Sequence, residues 1–131
     1  MILKSIFALF FIQLITLTGF GQKTNCKSLQ IGSFKVTTSE SGTTIIDRTR
    51  TEQHEINEDL GYDVLFDIKW IDECSYELRP KKVIKGDPAI MGDGTNVVKT
   101  RIKQITDKGY VAETSASFSN ATIDFTVEIL H

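Results

Sequence analysis

Strict alternation between Tyr62 and Ile71 is the feature that most narrows the fold. Tyr62, Val64, Phe66, Ile68 and Trp70 alternate with Asp63, Leu65, Asp67, Lys69 and Ile71. A strand turns successive side chains to opposite faces, so this pattern sets one apolar face on a core and leaves the other largely solvated. No helix could gather the same residues into one apolar stripe. The end of the chain repeats the logic, with Ile123, Phe125, Val127 and Ile129 set against Thr122, Asp124, Thr126 and Glu128.

Between these segments the same period recurs, with turn chemistry at the joints. Cys74-Ser75-Tyr76-Glu77-Leu78 alternates after a corner at Asp72-Glu73. Pro80 has no N–H to give a ladder, which predicts an edge or a bulge there. Val98, Thr100 and Ile102 alternate with Lys99, Arg101 and Lys103. Asp107-Lys108-Gly109 reads as a hairpin loop with Gly109 at positive φ. Tyr110, Ala112, Thr114, Ala116 and Phe118 return, and Ser119-Asn120 makes the next hairpin. Nearer the start, Gly32, Phe34 and Val36 fit a strand, and 43–48 with 52–57 fit a polar hairpin. Sustained helical periodicity is missing from 22 to 131. About eight short strands at this spacing predict an all-β, antiparallel up-and-down meander, closed as a small barrel or a sandwich.

The first 21 residues differ from the rest. Lys4 precedes an apolar run over 6–17, and Gly19 and Gly21 supply the small residues that cleavage before Gln22 needs. Gln13, Thr16 and Thr18 interrupt the run, which favours a cleaved signal helix over a retained membrane anchor. The expected organisation is a signal peptide over 1–21 and one β domain over 22–131, secreted or periplasmic, without stable membrane insertion after cleavage. That domain carries 14 Lys and Arg against 17 Asp and Glu, interspersed rather than segregated. Such a surface offers no stripe to neutralise phosphates, which argues against a nucleic-acid partner.

Cys26 and Cys74 both lie in the exported part, and an even count there predicts a disulfide. In the chain-entropy view, closing a loop of this length stabilises by roughly 4 kcal/mol. Their separation fits no metal-ligand pattern, and no cofactor is expected.

The run Trp70-Ile71-Asp72-Glu73-Cys74-Ser75-Tyr76-Glu77-Leu78, with Cys26, Gly32-Ser33-Phe34 and Ile46-Asp47-Arg48…Gln53, resembles small secreted proteins of unknown role in Gram-negative bacteria. Sequences of this kind sometimes carry the label DNA topoisomerase IV. That activity requires a catalytic tyrosine in a large, metal-assisted, DNA-gripping assembly, and a slightly acidic exported domain offers none of it. The Gly-x-aromatic triplet is also similar to the opening strand of lipocalin-like β-meanders.

Candidate chemistry is sparse. His54 stands in a polar stretch, His131 is terminal, and no Gly-x-Ser-x-Gly elbow accompanies them, so a small hydrolase is the weakest of the readings. Asp63 and Asp67 fall opposite the Phe66 and Trp70 side, as a solvated face would. The residues of most interest are Arg48, Gln53 and Glu55. If their hairpin turns them inward they must pair, because an unpartnered buried charge is costly. The leading expectation is a non-enzymatic exported meander that binds a small apolar ligand or an envelope component. In the ligand version Phe34, Val64, Phe66, Ile102 and Phe125 line a cavity, Trp70 stands at its rim, and Arg48, Gln53 and Glu55 sit at its mouth. In the alternative the core is filled, and recognition by a protein partner uses loops or a sheet edge near Pro80.

Overall fold

The computed structural model describes residues 25–131, and the expected signal peptide lies outside the described residues. A short 3-10 turn, Lys27–Leu29, leads into eight strands: β1 (Gly32–Thr38), β2 (Gly42–Arg48), β3 (Glu52–Asn57), β4 (Tyr62–Asp72), β5 (Ser75–Lys85), β6 (Val98–Ile105), β7 (Gly109–Ala116) and β8 (Thr122–Leu130). Each pairs antiparallel with its sequence neighbour, and β8 returns to β1 with Phe34 opposite Ile129 and Val36 opposite Val127. That last ladder closes an up-and-down barrel, so the sandwich alternative does not form.

Period two decides what fills the interior. On β4 the even-numbered face turns in, and Val64 and Ile68 are buried. On β7 the buried pair is Tyr110 and Ala112. The polar hairpin behaves in the same way: β2 sends Thr44, Ile46 and Arg48 inward, and β3 sends in Gln53 and Asn57.

One end of the barrel is sealed. The Cys26–Cys74 disulfide ties the N-terminal turn to the β4–β5 corner, with the two Cα atoms 5.2 Å apart. Leu29 of that turn drops into a buried cluster with Phe34, Ile46, Tyr110 and Val127. The corner is held in turn, since Ile102 N donates to Cys74 O at 2.8 Å and Gln30 Nε2 donates to Glu73 O at 3.2 Å. The disulfide therefore fastens a plug rather than only shortening the unfolded chain.

The seam between β5 and β6 is short for strands of their length. These strands pair only from Ser75 to Leu78, opposite Arg101 to Val98. Beyond that point β5 runs on as an edge, and its register against β4 jumps from Leu65–Lys82 to Phe66–Pro80. Pro80 thus sits beside both a bulge and an open edge, as its missing N–H requires. Gly109 departs from expectation, because it is not among the glycines with positive φ. What it needs is room: a Cβ there would lie 1.9 Å from the Val127 carbonyl oxygen.

Candidate functional site

Strand β3 carries the unusual chemistry. Its inward positions are Gln53, Glu55 and Asn57, where the neighbouring strands bring mostly apolar groups. Polar side chains can stay inside only if they are partnered, and these are. Arg48, 2% exposed, donates from Nε to Gln53 Oε1 at 2.8 Å and from Nη1 to Leu29 O at 2.7 Å. Its Nη2 reaches the hydroxyls of Tyr76 at 3.1 Å and Tyr110 at 3.0 Å. The guanidinium also lies over the rings of Phe34 at 4.5 Å and Tyr76 at 4.9 Å, a cation–π arrangement favoured where water is excluded.

Gln53 passes the chain of bonds onward, with Nε2 donating to Glu55 Oε2 at 3.0 Å. Asn57 closes the upper part of the row by donating to Thr44 Oγ1 at 3.0 Å and to Ser41 O at 2.8 Å. Burial raises the Glu55 pKa above its ordinary value, opposed by the Gln53 hydrogen bond and the Arg48 charge. Burial pushes the Tyr76 hydroxyl up as well, although the Arg48 charge pulls it back. For Arg48 burial lowers the pKa, but Tyr76 and Tyr110 outweigh it and the guanidinium stays above its ordinary value.

Above this layer the barrel is hollow. A cavity of about 220 Å³ runs from the hydroxyls of Tyr76 and Tyr110 up to Ser41 and Gly42 at the β1–β2 turn, away from the plug. Gln53, Glu55 and Tyr62 form one polar wall, and Leu78, Val98, Ala112, Phe125 and Val127 face them. A second, shallower groove of about 340 Å³ lies on the outer face near Ile71, Lys99 and Arg101. Arg101 and Glu113 pair across it at 3.2 Å.

The expected site residues divide. Gln53 and Glu55 line the cavity, and so does Phe125. Arg48 is not at the mouth: it lies under the floor at the plugged end, because β2 ends there and Leu29 supplies an acceptor. Phe34 and Ile102 belong to the packed closed-end cluster, and Val64 is buried away from the cavity. Phe66 and Trp70 pack on Ile68, Tyr76 and Leu78 instead of reaching a ligand space. Tyr62, Tyr76 and Tyr110 were the missed lining residues. Their shared even-numbered parity was the available signal, but parity does not say which inward residues stop short of one another.

The chain matches no protein-family model, no curated protein and no solved structure. Its chemistry is read from the side chains themselves. Outside the barrel, His54 Nε2 meets Asp63 Oδ1 across β3 and β4. Glu55 points the other way, into the cavity, so His54, Asp63 and Glu55 do not converge on one site. Among the described residues no cluster of His, Cys, Asp and Glu could hold a metal ion, and no helix is long and apolar enough to cross a membrane.

Proposed function

We propose that this protein is an exported binding barrel that holds one small molecule in its interior. The observation that carries this reading is the unfilled space between the Gln53–Glu55 wall and the mainly apolar side chains of β5 to β8, among which Thr100 and Thr114 pair their hydroxyls with each other. Dry apolar cavities of about 150 Å³ hold benzene, whereas drug-sized ligands occupy about 300–1,000 Å³. At about 220 Å³ the space suits a compact ligand rather than a long lipid. One polar wall against one apolar wall would fix its orientation.

The competing reading, recognition of a protein by strand addition, has one point in its favour: the free edge of β5 beyond Leu78. That stretch carries Arg79, Pro80, Lys81, Lys82 and Lys85. Positive charge and proline on an edge are devices that discourage pairing with another strand. The cavity is therefore the better candidate.

The test is native mass spectrometry of protein purified from a host that exports it, alongside thermal shifts with compounds of up to about ten heavy atoms. Wild type is expected to retain a small adduct at one-to-one ratio or to gain stability with such compounds. Ala112→Leu, which fills the space from the apolar wall, should lose both. A wild-type chain with neither adduct nor shift would overturn the reading.

A further inference from the structure

The polar wall also specifies the head group of the ligand. Arg48 Nε has a proton and no lone pair to offer, so the Gln53 amide must turn its oxygen toward Arg48 and its NH2 toward Glu55. Glu55 Oε2 accepts that NH2, which fixes the plane of the carboxyl. The other oxygen, Oε1, accepts from no group among the described residues. Nor is it shut away, because Trp70 Nε1 is the only buried side-chain polar atom without a partner among the described residues. Glu55 lines the cavity, so Oε1 faces the open space.

Among the described residues no cation touches this carboxyl. Arg48 spends its N–H groups on Gln53, Leu29, Tyr76 and Tyr110, and it reaches Glu55 only through the Gln53 amide. A carboxylate removed from water without a partner is unfavourable, and a hydrogen-bonded positive group relieves that cost. A ligand anion would meet the Glu55 charge head-on. Across the space, Leu78, Val98 and Val127 offer apolar surface, and the Thr100 and Thr114 hydroxyls beside them carry no charge and pair with each other at 3.3 Å.

Building on the interior-binding reading, we propose that the cavity takes a small organic amine, its ammonium group donating to Glu55 Oε1 and its apolar body lying against β5, β6 and β8. The Tyr62 ring adds π surface to the same polar wall. The titratable groups that line this space are Glu55 of β3, Tyr62 of β4, Tyr76 of β5 and Tyr110 of β7, with Arg48 of β2 beneath its floor. Glu55 is the one carboxyl among them. Amine affinity should therefore rise with pH as Glu55 loses its proton and level off above that point.

Calorimetric titration with primary amines from butylamine to benzylamine, each beside its matched alcohol and carboxylate, tests the assignment. On the high-pH side of the Glu55 titration the amines should bind at least about tenfold more tightly than the alcohols, consistent with a charge-assisted hydrogen bond, and the carboxylates should not bind. Below the titration of Glu55 the amine affinity should fall about tenfold per pH unit, and that of the alcohols should stay level. Glu55→Gln keeps the Gln53 hydrogen bond and should abolish the preference of the site for amines over the matched alcohols. Equal affinity for amines and alcohols, or an amine preference that survives in Glu55→Gln, overturns the head-group assignment and leaves the cavity reading standing. Failure of amines, alcohols and carboxylates alike, in wild type as in Ala112→Leu, overturns both. The pH series on wild type decides the question independently if the variant does not fold.

Discussion

Arg48 Nε donates to Gln53 Oε1 at 2.8 Å, and that one bond sets the orientation of everything above it in the barrel. The side chains come from strands that pair directly, Arg48 opposite Gln53 in the β2–β3 register. Below the bond lie the plug and the closed-end aromatics. Above it lie Glu55 and the cavity. A buried cation thus meets its nearest counter-charge through an amide rather than by direct contact. The arrangement satisfies the guanidinium and still leaves one carboxyl oxygen unused.

Replacing Arg48 should be severe. Arg48→Met strips partners from the Leu29 carbonyl and the Gln53 amide and leaves Glu55 without a cation nearby. Removal of one member of a buried charged network costs about 3–5 kcal/mol. Arg48→Lys should recover little, because an ammonium cannot reproduce the planar fork that reaches Gln53, Leu29 and the two phenols. Urea unfolding followed by the fluorescence of Trp70 measures both variants. A lysine variant as stable as wild type would mean that charge alone matters at this position.

Glu55 should make stability depend on pH in a sense opposite to most carboxylates. Burial holds its pKa in the folded state above the ordinary value, so folding takes up a proton in this range. The stabilising contribution is complete below the unfolded-state pKa and is lost as pH rises through the folded-state value. Glu55→Gln, which has no proton to lose, should be more stable than wild type at pH 7. The difference should vanish toward pH 4 and below. Paired denaturation curves across that range check the sign, and a variant less stable at pH 7 than at pH 4 relative to wild type would contradict it.

Gly109→Ala should damage the barrel although the residue has no special φ. The added methyl would fall 1.9 Å from the Val127 carbonyl oxygen, a backbone atom that cannot swing aside. Gly109 pairs with Glu128 at the start of the β7–β8 ladder, so relief requires the strands to part. A cost of about 2–3 kcal/mol is expected, at the upper end for overpacking. Chemical denaturation measures it. Loss below about 0.5 kcal/mol would show that the two strands separate there without penalty.

Strand identity was written in the sequence because period two is a local property. Tyr62–Trp70 and Thr122–Ile129 could bury an apolar face only as strands, and turn residues marked the joints at 107–108 and 119–120, although Gly109 itself begins β7. Cys26 and Cys74 gave the disulfide by their number alone. Closure was different, since it depends on β8 meeting β1, a pairing between ends of the chain that no local pattern encodes. The same holds for the site. Gln53 and Glu55, expected inward only if their hairpin turned that way, do line the cavity, whereas Phe34, Phe66 and Trp70 turn inward without reaching it. Which of those side chains touch across the barrel, and which leave a space, depends on how high each stands along the barrel axis. Arg48 could be read as a residue that must be paired. That it is paired beneath the cavity, against a plug tied down by the disulfide, was decided only by the tertiary structure, because its acceptors come from Leu29, Gln53, Tyr76 and Tyr110, as far as 62 residues away in sequence.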